Sequence, residues 1–170
     1  METRKLGKNG PELTVIGLGA WAIGGAWKWG WGASDDQESV RTIRRALELG
    51  INWIDTAAVY GLGHSEEIVA EAVEGHRHEV IIATKCGLVW DERGKVWNDI
   101  SPASIRREIE ASLRRLRTDY IDLYQIHWPN ANQSEADAWR ELVKLQEEGK
   151  TRWIGVSNFN AQLLKQCEAI

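Results

Sequence analysis

The amino-acid sequence predicts an α/β fold in which helices cover a parallel β-sheet. Short apolar segments rich in Ile and Val alternate with amphipathic segments of helical length along all 170 residues. Each strand and the helix that follows it together span about thirty residues, which is the size of a βα repeat. Alternation of this kind is typical of parallel sheets with crossover helices. We therefore assign residues 1–170 to one domain that contains five βα units.

A small hairpin is predicted ahead of the first unit. Its strands lie at Arg4–Leu6 and Leu13–Val15, on either side of Gly10 and Pro11. Glycine and proline both favour turns, because one tolerates unusual backbone angles and the other fixes φ. The hairpin thus stands outside the βα repeat.

The first two units follow the same pattern. The first has a strand at Val15–Trp21 and a helix at Asp35–Leu49, and the second has a strand at Asn52–Ala57 and a helix at Ser65–Glu74. Each helix is followed directly by a glycine, the residue that most readily adopts the left-handed turn after a helix.

The third unit has the clearest helix start. Its strand is Val80–Cys86, and its helix begins after Ser101, with Pro102 at the first helical position. Serine is a favoured N-cap and proline a favoured first residue of a helix. The helix is predicted to run to about Arg117, and its spacing places four apolar residues on one face: Ile105, Ile109, Leu113 and Leu116.

The last two units complete the predicted sheet. Their strands are Ile121–Trp128 and Arg152–Ser157, and their helices are Glu135–Glu148 and Asn160–Ile170. Five parallel strands do not close an eight-stranded barrel. The pattern alone therefore leaves two interpretations open, a piece of a (β/α) barrel or a doubly wound sheet.

Composition excludes several function classes. A net charge of −4 gives no electrostatic reason to expect a nucleic acid or an anionic membrane as partner. The N-terminus has no apolar core of signal-peptide length, and no segment approaches a membrane span. Cys86 and Cys167 lie far apart without CxxC spacing, which fits a reducing compartment. We expect a cytoplasmic protein.

Polar side chains stand at the ends of four successive predicted strands. Asp55 lies near the end of the second strand, and Tyr60 follows it five residues later. Lys85 lies at the end of the third strand and His127 at the end of the fourth. The fifth strand ends at Ser157-Asn158. Because the carboxyl ends of parallel strands meet at one rim, these side chains are expected to lie close together. Each alone has an ordinary structural explanation, such as a cap, a loop aromatic or a core histidine. Their joint placement favours a site.

The four residue types Asp, Tyr, Lys and His make a consistent proton-transfer site. A nearby ammonium lowers the pKa of a phenol, and a carboxylate keeps that ammonium charged and in place. A histidine within reach donates a hydrogen bond to a carbonyl oxygen that is becoming an alkoxide. Since no side chain supplies hydride, a nicotinamide cofactor is implied.

The same residues lie in motifs that resemble those of the aldo-keto reductase family, in the same order and spacing over the whole chain. The N-terminal segments Arg4-Lys-Leu-Gly and Gly17-Leu-Gly-Ala-Trp21 resemble the opening of that family. The site motifs are Asp55-Thr-Ala-Ala-Val-Tyr60-Gly, Ala83-Thr-Lys85, Asp119-Tyr-Ile-Asp-Leu-Tyr-Gln-Ile-His127 and Ile154-Gly-Val-Ser-Asn-Phe159.

This resemblance implies a (β/α)8 barrel of the TIM-barrel type, of which the chain holds about five βα units and an N-terminal hairpin. It implies that Tyr60 is the general acid/base, that Lys85 lowers its pKa, that Asp55 pairs with Lys85, and that His127 orients the carbonyl. The substrate is then a small carbonyl compound or alcohol, and NADP(H) is favoured over NAD(H). The residues implied in cofactor binding are Ala20, Trp21, Asp55, Ser157 and Asn158.

In that family, later strands close the barrel and bind the adenosine part of the cofactor, and this sequence contains none of them. An open sheet would expose two edges and an apolar interior, so we expect a chain of this length to dimerise, aggregate or stay partly molten. The alternative to an enzyme is a non-enzymatic half-barrel, or a partner-binding fragment that retains the motifs.

Three further sequence features carry weaker signals. Gly17-Leu-Gly19 with Ala22 fits a dinucleotide-binding fingerprint, but a Gly- and Trp-rich loop follows where that motif needs a helix. The two histidines of His76-Arg-His78 lack a third ligand, so no metal site is predicted. The loop Trp27-Lys-Trp-Gly-Trp31 is expected to overhang the rim, either as a packing lid or as an aromatic wall for a ring-shaped or sugar-like substrate.

Overall fold

A computed structural model describes all residues 1–170 and contains nine strands and five α-helices. The strands are β1 (Thr3–Lys5), β2 (Glu12–Thr14), β3 (Leu18–Gly19), β4 (Trp53–Asp55), β5 (Ile81–Cys86), β6 (Leu88–Trp90), β7 (Val96–Asn98), β8 (Ile121–Ile126) and β9 (Thr151–Val156). The helices are α1 (Asp36–Glu48), α2 (His64–Ala72), α3 (Pro102–Leu116), α4 (Glu135–Glu147) and α5 (Ala161–Glu168). Short 3₁₀ turns lie at Ala22–Gly24, Tyr60–Gly63 and Arg77–Glu79.

The central sheet has five parallel strands in the order β3-β4-β5-β8-β9. Strands that are neighbours along the βα repeat are therefore also neighbours in the sheet. In a doubly wound sheet the spatial order of the strands reverses at a switch point, whereas in a (β/α) barrel each new strand is added beside the preceding one. The observed order agrees with the barrel interpretation and contradicts the doubly wound one.

Four of the five helices begin with a side chain that caps the first turn, as the sequence signals indicated. The capping oxygens belong to Asp35, Ser101, Ser134 and Asn160. Helix α2 differs, because it follows the Tyr60–Gly63 turn directly and has no side-chain cap. Its N-terminus is held instead by buried side chains that belong to the site described below.

The core lies between the sheet and the helices on its outer face. Ile54 of β4 and Ile82 of β5 are fully buried there, against the helices. The apolar face predicted for α3 is confirmed, since Ile105, Ile109 and Leu116 are buried and Leu113 packs against the same cluster. Burial of this face fixes the helices against the strands whose ends carry the polar residues.

Two features differ from the sequence-based prediction. Strand β3 is only two residues long, because the chain turns at Ala22–Gly24. The hairpin β6–β7 was not predicted, since its apolar residues follow β5 with a single interruption at Gly87. That glycine has a φ of 89°, a value open to glycine and rare for other residues. The chain therefore leaves the sheet at Gly87.

The hairpin predicted ahead of the first βα unit is confirmed. The hairpin β1–β2 pairs in antiparallel register. Cys86 and Cys167 are both buried and form no disulfide. None of the helices has the length and apolar character needed to cross a bilayer.

Candidate active site

The predicted site residues meet at the carboxyl ends of the parallel strands. Asp55 is the last residue of β4 and Lys85 lies at the end of β5. His127 directly follows β8, and Tyr60 opens the 3₁₀ turn between β4 and α2. Adjacent parallel strands end at the same edge, and the register pairs Asp55 with Ala83, two residues before Lys85.

The Lys85 ammonium is the centre of this group. Its Nζ donates a hydrogen bond of 2.7 Å to Asp55 Oδ1 and one of 2.8 Å to the carbonyl oxygen of Thr56. Only 6% of the Lys85 residue is exposed, and a lysine so deeply buried requires such partners. Burial lowers the pKa of Lys85, and the Asp55 carboxylate opposes that shift. The predicted Asp55–Lys85 pair is therefore present in the structure.

Tyr60 and His127 lie against this pair. The Tyr60 ring centroid is 5.2 Å from Lys85 Nζ and 5.8 Å from the His127 ring centroid, with the two rings at 77°. Both side chains are half-buried. The structure thus brings all four predicted residues together: Asp55, Tyr60, Lys85 and His127.

The pKa of Tyr60 does not follow the expectation from the sequence. We expected Lys85 to lower it, but burial and then the negative charge of Asp55 raise it to about 12. Burial of the phenol is the larger cause, and the hydrogen bonds of the Lys85 ammonium are directed to Asp55 and Thr56. The phenol is therefore protonated throughout the neutral range and is able to give up a proton.

His127 is held in its neutral form. Burial, and secondarily the charge of Lys85, lower its pKa to about 4. A neutral imidazole carries one N–H and so is able to donate a hydrogen bond without bringing a second positive charge beside the ammonium. The site at neutral pH thus contains a protonated phenol and a neutral histidine.

Ser157 and Asn158 lie beside His127 at the end of β9. The Asn158 amide nitrogen donates to the His127 carbonyl oxygen at 2.8 Å and contacts Ser157 Oγ at 3.1 Å. Asn158 has a φ of 62°, and asparagine is one of the few residues other than glycine that adopt this conformation readily. This turn places a hydroxyl and a carboxamide next to the site.

Ala20 and Trp21 approach the site from β3. The Ala20 amide donates to the Asp55 carbonyl oxygen at 2.8 Å, and its own carbonyl accepts from Ser65 Oγ at 2.9 Å. Both backbone groups of Ala20 are therefore engaged within the protein. Trp21 is exposed and packs edge-to-face with Trp31, at a centroid distance of 5.7 Å.

Two glycines that the sequence did not single out fix the Tyr60 turn. A Cβ on Gly61 would collide with the carbonyl oxygen of Gly24, and a Cβ on Gly24 would lie 2.8 Å from the Tyr60 carbonyl carbon. The backbones of the two 3₁₀ turns therefore touch, and only glycine permits that approach. The sequence shows these residues only as glycines in Gly-rich loops.

The Trp27–Trp31 loop lies next to Tyr60. Trp27 packs against the Tyr60 ring at a centroid distance of 6.4 Å and against Trp29 at 5.3 Å. Trp29 is half exposed, and Trp31 is 76% exposed. One indole thus supports the site residue, whereas two others present apolar surface to solvent.

The two weaker sequence signals do not form sites. The glycines of Gly17-Leu-Gly19 are followed by the turn at Ala22–Gly24, and the next helix starts only at Asp36, so the fingerprint lacks its helix. His76 and His78 are exposed and face Glu79 at 3.4 and 3.6 Å.

A parallel βα sheet in barrel order, with polar residues at its carboxyl rim, defines a protein of the (β/α)-barrel class. The model of the Aldo/keto reductase family matches residues 15–169. The chain therefore belongs to the aldo-keto reductase family, which confirms the resemblance found in the sequence.

Similar proteins agree with this assignment. The chain is 44% identical to the aldo-keto reductase YhdN of Bacillus subtilis, over 100% of this chain and 51% of that protein. It is 41% identical to the NADH-specific methylglyoxal reductase of Escherichia coli, over 98% of this chain and 55% of that protein. The chain spans about half the length of these relatives.

A solved structure shows the same fold. The glycerol dehydrogenase AKR11B4 from Gluconobacter oxydans superposes with a TM-score of 0.86 and 47% identity, over 99% of this chain and 51% of that one. The (β/α)8 TIM-barrel type predicted for the fold is thereby confirmed, with five strands of the barrel present in this chain.

Proposed function

We propose that this protein transfers hydride between NAD(P)H and the carbonyl carbon of a small aldehyde, ketone or sugar-like compound, with Tyr60 as general acid/base. The observation that carries the proposal is the cluster at the strand ends. A protonated phenol lies 5.2 Å, measured from its ring centroid, from a buried ammonium and packs against a neutral imidazole. General acid catalysis requires a proton donor placed in this way.

The roles of the chain's residues follow from their protonation states. In the reductive direction, hydride adds to the carbonyl carbon, and the carbonyl oxygen takes the phenolic proton of Tyr60, which gives the alcohol. His127 donates a hydrogen bond to the same oxygen and stabilises its developing negative charge. The positive charge of Lys85 favours the phenolate that Tyr60 becomes, although burial and Asp55 keep the net pKa of the phenol raised. Asp55 holds Lys85 in place.

A nicotinamide, when bound, supplies the hydride. The residues present fit such a group, because its carboxamide needs both a donor and an acceptor. The Ser157 hydroxyl and the Asn158 side-chain carbonyl offer these beside His127. We propose Ala20, Trp21 and Asp55 as the remaining contacts on this side of the site.

We propose NADP(H) as the preferred cofactor. The support comes from relatives with solved structures, since two aldo-keto reductases from Klebsiella pneumoniae are described in complex with NADP and NADPH. The Escherichia coli relative is named as NADH-specific, so the preference requires measurement. A reaction that uses this cofactor, in a protein with two unpaired cysteines, fits the cytoplasm.

The experiment that tests the function uses reduced cofactor and reactive test carbonyls. The purified chain is mixed with NADPH or NADH and with nitrobenzaldehyde or methylglyoxal, and the loss of absorbance of the reduced cofactor is followed. We expect turnover, faster with NADPH than with NADH. The sheet has two uncovered edge strands, β3 and β9, so sedimentation is run in parallel to detect self-association. A defined oligomer that shows no turnover would favour the non-enzymatic half-barrel instead.

The exposed indoles of the loop beside Tyr60 give a second prediction. Replacing both Trp29 and Trp31 by alanine is expected to raise the KM for a ring-shaped or sugar-like carbonyl by about 5- to 150-fold, since two aromatic contacts of about 0.5–1.5 kcal/mol each are lost. We expect kcat to change little, because Trp27 still packs against Tyr60. Steady-state kinetics measure both constants, with Lys28→Ala in the same loop as the control. A KM equal to that of the wild type would leave the loop with a packing role alone.

A further inference from the structure

We propose that Glu66 is a positioning residue for Lys85, acting from behind the sheet as a fixed negative charge that holds β5 and keeps the ammonium protonated. The functional consequence rests on the proposed function, since it assumes that Lys85 supports Tyr60. The electrostatic part concerns Lys85 alone and is tested without turnover.

Glu66 forms a hydrogen bond with the strand that carries Lys85. It lies in the first turn of α2 and is fully buried. Its Oε1 accepts a hydrogen bond of 2.6 Å from Thr84 Oγ1, and Thr84 immediately precedes Lys85 in β5. Successive side chains of a strand point to opposite faces. Glu66 therefore holds β5 from the helix side, while Lys85 reaches into the site.

Arg115 of α3 pairs with the Glu66 carboxylate. Its Nε donates to Glu66 Oε2 at 2.6 Å, and a second guanidinium nitrogen donates to Ser112 Oγ at 3.2 Å. The guanidinium carbon lies 5.7 Å from the centroid of the Trp90 ring in the β6–β7 hairpin. A buried carboxylate is costly unless it is paired and hydrogen-bonded, and both of its oxygens have a short partner here.

The residue before Glu66 supports the other side of Lys85. Ser65 Oγ lies 2.9 Å from Thr56 Oγ1, and the Thr56 carbonyl accepts the second hydrogen bond of Lys85 Nζ. The start of α2 is thus linked to Lys85 twice, through Thr56 of the loop after β4 and through Thr84 of β5. This helix directly follows the Tyr60–Gly63 turn, so one segment positions both the phenol and the ammonium.

The charges around Lys85 explain why a carboxylate is useful at this position. Asp55 from the end of β4 and Glu66 from α2 both favour the protonated ammonium, against the burial that disfavours it. The groups that face Lys85 from the other elements are the Tyr60 phenol and His127. Both are uncharged at neutral pH, so the two carboxylates are the charges that stabilise the ammonium.

Glu108 of α3 provides a matched control. It is a second buried carboxylate near the end of β5, where its Oε2 accepts a hydrogen bond of 2.9 Å from the Gly87 amide and its Oε1 accepts one of 3.1 Å from Ser104 Oγ. Its hydrogen bonds go to Gly87 and Ser104 and not to Thr84, the residue that links Glu66 to Lys85. Replacing Glu108 therefore removes a buried carboxylate and its hydrogen bonds but keeps the negative charge of Glu66 that is proposed to act on Lys85.

The experiment measures the titration of Lys85 by NMR in the full chain labelled with ¹³C at lysine Cε, with the signal assigned by its absence in Lys85→Met. Glu66→Gln keeps the shape of the side chain and removes its charge. We expect it to lower the titration midpoint of Lys85 by about one pH unit, as a charge lost at several ångströms inside a protein predicts. Glu108→Gln is expected to leave the midpoint where it is in the wild type.

A second readout uses activity. If the reaction requires the ammonium, the alkaline limb of the kcat profile shifts to lower pH in Glu66→Gln and not in Glu108→Gln. A midpoint of Lys85 that is the same in Glu66→Gln and in the wild type overturns the proposal. A shifted midpoint in a chain without turnover supports it and counts against the proposed function instead.

A fallback variant covers the case in which Glu66→Gln does not fold because Arg115 loses its partner. Glu66→Gln with Arg115→Gln removes both charges together, an exchange that buried ion pairs often tolerate. The loss of the Arg115 charge, which lies 2.6 Å from Glu66, offsets part of the effect, so the midpoint in this double variant is expected to fall by less than in Glu66→Gln. A folded double variant with the wild-type midpoint overturns the proposal equally.

Discussion

Replacing Tyr60 by phenylalanine is expected to lower kcat by about 10²–10⁴-fold, the range that a positioned general acid contributes. Phenylalanine retains the ring that packs against Trp27 and His127 and loses only the hydroxyl that donates the proton. Binding of NADPH should remain close to that of the wild type, because the proposed nicotinamide contacts lie on other residues. Single-turnover kinetics and cofactor fluorescence measure the two quantities separately.

Tyr120→Phe is the matched control for this variant. Tyr120 precedes β8, at the opposite end of the strand from His127, and its ring lies between the guanidinium groups of Arg77 and Arg152 at 4.4 and 4.0 Å. Removing its hydroxyl leaves those contacts to the ring in place, so kcat should not change. Turnover retained in Tyr60→Phe would refute the role assigned to the phenol.

The protonation states at the site bear on the direction of the proposed reaction. The pKa of Tyr60 is raised to about 12 and that of His127 is lowered to about 4. Across the neutral range the phenol therefore has its O–H and the neutral imidazole has one N–H, and each is able to donate a hydrogen bond to an oxygen. A base that accepts a proton from an alcohol would need the phenolate. In the proposed mechanism, these protonation states suit the donation of a proton to a carbonyl oxygen.

The positions of the main site residues were predictable from the sequence because they depend on topology. Parallel strands bring their carboxyl ends together, so Asp55, Lys85 and His127 had to meet once the strands were recognised. The direction of the Tyr60 pKa shift was not predictable in this way. It depends first on the burial of the phenol and then on the charge of Asp55. The Lys85 donors point to Asp55 and to the Thr56 carbonyl, and the latter is a backbone atom with no sequence signal.

Glu66 shows a different limit of sequence analysis. In the sequence it is one of two adjacent glutamates at the start of a helix, where acidic residues are common because they interact with the helix dipole. Only packing distinguishes them, since Glu66 is buried against Thr84 and Arg115 and Glu67 is exposed. Likewise, the β6–β7 hairpin depends on the backbone angle at Gly87, which the sequence does not specify.

His127 is expected to make the stability of the protein depend on pH in a defined window. The unfolded chain binds a proton at this residue near pH 6.5, whereas the native pKa is about 4. As the pH falls from 6.5 to 4, the unfolded state gains a proton that the native state does not, so the free energy of unfolding decreases. The stabilisation is fully present above pH 6.5 and is lost below about 4. Its size is between about 2 and 3 kcal/mol when the partial exposure of the ring is considered.

Urea unfolding at a series of pH values tests this, with His127→Gln compared with the wild type. Other groups titrate in both proteins; Glu108, for example, has a pKa raised to about 7 and contributes with the opposite sign. Only the difference between the two curves therefore isolates His127. We expect the stability of the wild type to fall more steeply between pH 6.5 and 4, by about 1 M in the urea midpoint. His78→Gln, at an exposed histidine, should follow the wild-type curve. Parallel curves for His127→Gln and the wild type would mean that the imidazole is solvated well enough to accept a proton in the native state, and the neutral donor proposed for the carbonyl oxygen would then be lost in mild acid.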